Sequence, residues 1–293
     1  MNPENPEPAT KSGLIVRPDN SLAILPVGGT SAMAEMISRS LAHIQTSTAL
    51  ALPQRRAGEE CEFEIAPGVK MVMCWIPPGE VLMGIAEVDH REDRETQHRV
   101  RITRGFWLAQ TQTTQAQWEA VMGRKPTSYF IGKDLPVERM CWNDICGTSG
   151  TGGFLGGLNK LAQEGGHFYL PAEVQWEYAC RAGAVGPYAG SLDEMGWYHE
   201  NSGGKTHPVG QKMPNAWGLY DMHGNVWEWC SDIGSDSGPY QERGVAIGPN
   251  RVARGGSWME SADYCRLANR INCYPCNHFN ATFGFRVARS SVP

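Results

Sequence analysis

The spacing of apolar residues changes along the chain, and each spacing predicts a different element. Residues 69–76 form a nearly continuous apolar run that turn residues close, which is typical of a buried strand. Residues 113–122 carry apolar side chains at helical spacing behind a capping threonine. Residues 172–181 lie between a proline and a glycine and predict a second helix. Short strands mixed with a few helices and many loops indicate an α+β fold.

The first 60 residues differ from the rest of the chain in composition and in the pattern of apolar residues. Residues 1–20 are polar and rich in proline, which predicts disorder. Residues 22–27 favour a short strand, and residues 31–46 have helical periodicity. A proline-rich polar break at residues 53–60 then predicts a domain boundary. We therefore separate an N-terminal segment, residues 1–60, from a main domain, residues 61–293. The N-terminal segment would dock on that domain, form an oligomer contact or recruit a partner, and the sequence leaves these alternatives open.

Composition narrows the class of protein. A net charge of −5 and a pI near 5.9 argue against non-specific binding of nucleic acid. No apolar run has the length of a membrane span, and the N-terminus has no apolar signal region. The default prediction is therefore a cytoplasmic protein without a membrane span, while a phage particle or surface display stays open. Nine cysteines, an odd number, then predict reduced thiols.

One pair of cysteines has metal-like spacing. Cys273 and Cys276 form a CxxC, but zinc would need a second pair or histidines at metal spacing. Only His278 lies close, so zinc or redox chemistry at this pair is disfavoured.

The segment GLYDMHGNVWEW, residues 218–229, concentrates aromatic and acidic residues around a Gly-Asn turn. Both turn residues accept a positive φ at little cost, so a sharp reversal is expected there. The strand that follows would bring Glu228 back towards Asp221. Two carboxylates beside the carbonyls of an irregular turn are ligands suited to calcium. The alternative is a buried hairpin whose acids face solvent or pair with arginine.

Several segments, taken in order over roughly residues 61–290, resemble the formylglycine-generating-enzyme, or sulfatase-modifying-factor, domain. The resemblance implies a loop-rich, C-type-lectin-like α+β fold of that type. It also implies a structural calcium ion held by the side chains of Asp221 and Glu228 and the carbonyls of Gly224 and Val226. The matching segments are IPPGEVLMG, VMGRKPTSYF, DLPVERMCWND, YLPAEVQWEYACRAG, THPVGQKMPNAWGLYDMHGNVWEWCSD, RVARGGSW and GFRV.

The resemblance to the enzymes of this family fails at the catalytic cysteines. The family's oxidase binds copper through two cysteines after its RGGS segment. Here Cys265 matches the second position, but Glu260 stands at the first. One thiolate and one carboxylate suit Cu(I) poorly, so no copper is expected. The iron-dependent sulfur-transfer relatives carry a His-rich helical domain, whereas residues 1–60 contain only His43. The chain is therefore predicted to be non-catalytic.

The C-terminus resembles the variable proteins of diversity-generating retroelements, which use the same domain. RGGSW, CRLANR and FGFRV match the constant parts of their last segment, and a variable region of about residues 254–286 follows from that match. Such retroelements mutate template adenines, so asparagine codons become the diversified positions. Every residue in residues 271–282 is reachable from an asparagine codon in this way.

This resemblance implies a ligand-binding protein whose C-terminal patch is diversified to bind varied protein targets. Large side chains that also carry a hydrogen-bonding group are suited to such contacts. We interpret Arg266, Arg270 and Arg286 as scaffold that pairs with buried carboxylates. One alternative is a copper-dependent formylglycine-generating oxidase or a sulfur-transfer enzyme; another is an ordinary loop with Cys265 and Ile271 in the core. The predicted contact residues are Glu260, Asp263, Tyr264, Leu267, Asn269, Ile271, Cys273, Tyr274, Cys276, His278, Phe279, Ala281 and Thr282.

Overall fold

The computed structural model divides the chain into two compact units, Met1–Gln54 and Arg55–Pro293. In the first unit, strands β1 (Leu14–Val16) and β2 (Leu22–Ile24) pair antiparallel. The helix predicted over residues 31–46 lies outside the described residues. The structure describes residues 14–16, 22–24, 55–84, 97–147, 152–162, 166–234, 250–275 and 280–291.

The second unit contains a five-stranded sheet in the strand order β3-β4-β7-β13-β8. The apolar run predicted to be a strand is β4, and its pairing with β7 places it inside this sheet. Strand β13, near the C-terminus, pairs antiparallel with both β7 and β8, so it holds the end of the chain in the same sheet. The bounds are β3 Glu60–Ala66, β4 Val69–Ile76, β7 Phe106–Ala109, β8 Phe168–Tyr169 and β13 Ala288–Ser290.

A second sheet of four strands, in the order β11-β10-β9-β12, carries the Trp-rich segment and the C-terminal region. Strand β10 pairs antiparallel with β9 and β11, and β12 runs parallel to β9. A separate hairpin joins β5 to β6. The bounds are β5 Gly79–Met83, β6 His98–Ile102, β9 Trp227–Ile233, β10 Arg251–Arg254, β11 Arg270–Cys273 and β12 Phe283–Gly284.

The two predicted helices are confirmed in α1 and α4. Helix α1 begins with a capping box, in which the Thr114 hydroxyl accepts the Gln117 amide and the Gln117 side chain accepts the Thr114 amide. A third helix, α3, begins at Gly153. The described helices are α1 Gln115–Met122, α2 Trp142–Cys146, α3 Gly153–Leu161, α4 Glu173–Arg181, α5 Leu192–Met195 and a 3₁₀ turn at Ala262–Cys265. Of the helices in the described ranges, none is both long enough and apolar enough to cross a bilayer.

Aromatic residues dominate the core. Trp118 stacks on Phe154 at 5.6 Å between ring centroids, and both rings meet Phe285 edge to face. The start of β9 leaves neither face to solvent, because Trp227, Glu228 and Trp229 are all buried. Strand β9 is therefore an interior strand, and its neighbours β10 and β12 carry the ends of the predicted variable region. These observations confirm an α+β architecture with short strands and few helices.

Candidate ligand-binding surface

The predicted variable region leaves the second sheet at the end of β10 and returns to it as β11. Arg251 pairs with Cys273 and Arg254 with Arg270, so the two ends of the excursion lie side by side. Between them, residues 255–269 form loops and the 3₁₀ turn. A regular sheet therefore positions an irregular loop, which is a common arrangement for binding residues.

The 3₁₀ turn presents the exposed part of this region. Asp263 and Tyr264 are exposed, and Met259 beside them is 51% exposed. The Tyr264 ring meets buried Trp227 edge to face at 6.5 Å between centroids. The indole nitrogen of Trp227 also donates to the Glu260 carboxylate at 3.5 Å. A rigid aromatic residue of the core thus orients two of the predicted contact residues. Partly exposed neighbours are Glu260, Ile271, Tyr274 and Ala281.

Four predicted contact residues are buried, which corrects their assignment to the surface: Leu267, Asn269, Cys273 and Thr282. The Leu267 amide donates to the carbonyl of Pro187, and its side chain packs in the core. The Thr282 hydroxyl and amide both bond to the Asn280 side chain. Apolar residues follow no regular spacing in this part of the chain, so the sequence does not show which side chains are buried. Cys276, His278 and Phe279 lie outside the described residues.

Arg254, at the end of β10, holds the buried side of the loop. Its guanidinium is fully buried and donates to the carbonyls of Leu267 and Asn269, at 3.2 and 2.6 Å from Nη1. The same group forms ion pairs with Glu177 and, at 3.2 Å, with Glu173 on α4. One buried arginine therefore links the loop backbone to a core helix. Arg254 lies in the RVARGGSW motif, where nothing in the local sequence indicates this role.

Two of the predicted scaffold arginines, Arg270 and Arg286, pair with buried carboxylates as expected. Arg270 makes two hydrogen bonds of 2.8 Å to the carboxylate of Glu173. Arg286 pairs with the buried carboxylate of Glu228 at 2.6 Å. Arg266 donates from Nε to the carbonyl of Asp263, a contact within the turn.

A loop outside the variable region borders this surface, and sequence analysis did not identify it. Phe130 meets Trp258 edge to face at 5.5 Å between centroids. Its neighbours Tyr129 and Ile131 are 68% and 76% exposed. The Trp258 indole in turn donates to the carbonyl of Ala281 at 3.0 Å. Exposed apolar side chains on an anchored loop extend the surface beyond the predicted patch.

A buried carboxylate anchors that loop. Glu138 accepts the amides of Tyr129 and Phe130 through Oε1, the latter at 2.9 Å, and its side chain is fully buried. Burial raises the pKa of Glu138 from 4.5 to about 7, although the two amides oppose that rise.

We expect Glu138→Gln to change how stability depends on pH. Because the pKa of Glu138 is higher in the folded state than in the unfolded state, this group stabilises the folded protein fully below the unfolded pKa of 4.5. That contribution to stability is lost as the pH rises through the folded pKa of about 7. The amide keeps the acceptor oxygen and does not ionise, so the variant should gain Tm relative to wild type near pH 8 and not near pH 5. Thermal unfolding at both pH values measures this, with exposed Glu119→Gln as control. An equal difference at both pH values would contradict the shift.

The thiol at the predicted copper position is enclosed. Cys265 is fully buried, and burial together with the nearby Glu260 carboxylate raises the pKa of its thiol far above the ordinary value. A protonated thiol is a poor metal ligand. Its backbone carbonyl accepts a hydrogen bond from the ring of His223, whose pKa burial lowers to about 4. All cysteines in the described part of the chain are free thiols.

Three of the four predicted calcium ligands, the carbonyls of Gly224 and Val226 and the Glu228 carboxylate, converge, but around a side-chain amide. The turn forms as expected, with positive φ at Asp221, Gly224 and Asn225. The Asp221 carboxylate instead accepts the Gly210 amide at 2.8 Å, and burial raises its pKa to about 6. Gln112 places its nitrogen among the carbonyls of the turn and the Glu228 carboxylate. The described residues contain no cluster of three or more His, Cys, Asp or Glu suited to a metal. The donors present therefore do not fit a calcium ion as they stand.

Several known proteins are similar to this chain in sequence. The family model for the sulfatase-modifying factor enzyme 1-like domain matches residues 66–291. The chaperone protein LppX of Paenibacillus barcinonensis is 30% identical over 63% of this chain and 80% of its own length. The formylglycine-generating enzyme of Streptomyces coelicolor is 32% identical over 60% of this chain. The chain spans 59% of that enzyme and 40% of the formylglycine-generating enzyme of Mus musculus, which is 34% identical over 42% of this chain.

Solved structures share the fold. Treponema denticola variable protein 1 superposes with a TM-score of 0.66 and 28% identity, over 80% of this chain and 99% of its own. PvdO from Pseudomonas aeruginosa gives a TM-score of 0.65 and 25% identity with the same coverage. The C-type-lectin-like fold of the formylglycine-generating type is thereby confirmed.

Proposed function

Because the chain belongs to the sulfatase-modifying factor enzyme 1-like family and lacks the first of its copper-binding cysteines, we propose that it is a non-catalytic ligand-binding protein. Its targets are varied proteins, and a retroelement diversifies the patch that contacts them. Similarity to Treponema denticola variable protein 1 supports this function. Family membership alone does not decide between binding and catalysis, since one fold carries many functions.

The observation that carries the proposal is the division of the variable region into an exposed face and a buried frame. Asp263 and Tyr264 point outward, while Leu267 and Asn269, a few residues later, are buried and held by Arg254. Side chains on the face contribute little to the core, so they can change without unfolding the domain. Tyrosine supplies contact area with little loss of conformational entropy, and the acidic neighbours favour partners with basic groups.

Two matched libraries test this division. Randomising four face positions, Glu260, Asp263, Tyr264 and Tyr274, should leave most clones folded and yield binders to immobilised lysozyme, a basic protein. Randomising four frame positions, Leu267, Asn269, Cys273 and Thr282, should unfold most clones, because truncating a buried side chain costs about 2–5 kcal/mol. Protease resistance on the display particle measures folding. Equal losses in the two libraries, or no binders from the face library, would contradict the proposal.

The genome of origin offers an independent test of diversification. The proposal requires a neighbouring reverse transcriptase and a near-copy of the segment for residues 254–286 that carries adenines at the variable codons. Sequencing the DNA that flanks the gene decides this, and the absence of both elements would remove the retroelement from the proposal.

The second candidate function is catalysis of the formylglycine-generating type, which the retained Cys265 and the similarity to those enzymes favour. Oxygen uptake with copper and a cysteine-containing peptide distinguishes the two functions. We expect uptake no faster than in buffer. Turnover that Cys265→Ser abolishes would instead support the enzyme.

A further inference from the structure

Four oxygen atoms meet at one point beneath the turn of the Trp-rich segment. The carbonyls of Asp221, Gly224 and Val226 lie 3.2, 3.2 and 2.9 Å from Nε2 of Gln112. Oε1 of Glu228 lies 3.1 Å from the same nitrogen. Oxygens gathered in this way repel one another unless a positive group lies among them.

The turn itself creates this convergence. Positive φ values of 55° at Asp221 and 84° at Gly224 rotate successive carbonyls to the same side of the chain. Burial leaves solvent no part in satisfying them, because Gly224 is buried and Gln112, Asp221, Val226 and Glu228 are each at most 2% exposed. The group that satisfies these oxygens must therefore come from the protein or be a bound cation.

Gln112 lies where such a cation would lie. Calcium binds oxygen at about 2.3–2.6 Å, so an ion held by these four oxygens would fall close to the position of the amide nitrogen. The amide presents two N–H donors to the group, and its own oxygen has no hydrogen-bond partner among the described residues. This orientation is the favourable one without a cation, because the opposite orientation would add a fifth oxygen to the cluster.

The charge of the Glu228 carboxylate is already balanced by the buried guanidinium of Arg286. The Glu228 carboxylate accepts two bonds from Arg286, at 2.6 and 2.7 Å, and one from the Trp176 indole at 2.6 Å. Together with the bond from the Gln112 amide, four N–H groups donate to the two carboxylate oxygens of Glu228. A divalent ion would have to displace the amide and would lie close to the buried guanidinium, which repels it.

We infer that the Gln112 amide takes the place of a structural cation in this chain, so that the folded domain does not need calcium at this point. The inference is independent of the proposed binding function. It also means that a single substitution should create the calcium site. Gln112→Glu replaces the donor with a carboxylate, which can rotate away from the point and join the four oxygens as a fifth ligand, near the six to eight that calcium prefers.

Calcium titration of the wild-type protein and of Gln112→Glu tests the inference. We expect the variant to bind one more calcium ion per chain than wild type, measured by isothermal titration calorimetry. Its Tm should fall in EGTA, because the new carboxylate faces four oxygens, and should rise by about 5 °C in millimolar calcium. Magnesium should not replace calcium, since it requires shorter bonds and octahedral geometry. Exposed Gln211→Glu is the matched control for the added charge and should gain no site.

A second variant keeps the test decisive if the carboxylate prevents folding. Gln112→Ala removes the amide without adding charge, leaves the four oxygens without their donor, and should likewise gain one calcium ion. Equal numbers of bound calcium ions in wild type and both variants would overturn the inference. A calcium-dependent Tm in wild type that Gln112→Ala abolishes would overturn it as well.

Discussion

Replacing Arg286 with methionine is expected to destabilise the second unit by about 3–5 kcal/mol, because it leaves the buried carboxylate of Glu228 without its countercharge. Both side chains of this ion pair are at most 1% exposed. The guanidinium also donates to the carbonyls of Ala109, Gln110 and Tyr220, which the variant leaves without that donor. Urea unfolding followed by tryptophan fluorescence measures the loss. All ten tryptophans lie in residues 75–258, so the signal reports on this unit alone.

An exposed ion pair provides the matched control. Arg99 and Glu80 are 3.0 Å apart, with side chains 76% and 47% exposed. Arg99→Met should therefore cost only about 0–1 kcal/mol. Adding Glu228→Gln to Arg286→Met should recover part of the loss, since the unpaired charge accounts for much of it. If the free energy of unfolding of Arg286→Met lay within about 1 kcal/mol of wild type, as expected for the control, the Arg286–Glu228 pair would contribute little to stability.

Periodic segments were predictable from the sequence because their spacing reflects a repeated environment. Strand β4 and helices α1 and α4 each bury one continuous face or run, and local propensity agrees with packing there. The Gly-Asn turn was predictable for a different reason, since few residues accept the positive φ found at Gly224 and Asn225.

Contacts between distant segments were not predictable in this way. Gln112 lies more than 100 positions before the turn whose carbonyls it satisfies, and nothing in its neighbourhood marks it as more than a residue before a helix cap. The burial of Leu267 and Thr282 depends on loop geometry that no spacing encodes. The family resemblance named the predicted calcium ligands but not Gln112, which lies among them, because Gln112 belongs to another segment.

The buried polar residues explain how a loop-rich domain can carry a face that changes. Loops have few backbone bonds of their own, so side chains must supply the missing donors and acceptors. Arg254 and Gln112 each satisfy at least two carbonyls of another segment. The variable region thus depends for its shape on residues outside its exposed face.

Arg254→Met is expected to destabilise the unit by about 3–5 kcal/mol, on the same grounds as Arg286→Met, because it leaves buried Glu177 with one countercharge fewer. Its effect should also be local. The variant removes the donors to the carbonyls of Leu267 and Asn269, so backbone amides of residues 266–270 should exchange faster with solvent deuterium. Hydrogen exchange followed by mass spectrometry measures both the global and the local change.

Arg251, on the same strand, provides the control that distinguishes a local effect on the loop from a general loss of stability. Its guanidinium stacks on Trp142 at 3.9 Å and donates to the Ser231 carbonyl, away from the loop. Arg251→Met should cost about 1 kcal/mol and leave exchange in residues 266–270 unchanged. If Arg254→Met raised exchange in residues 266–270 only as far as its global loss of stability accounts for, the loop would hold its shape without this arginine. A local increase beyond the global change would instead establish Arg254 as the residue that fixes the shape of the loop, while Asp263 and Tyr264 remain free to vary.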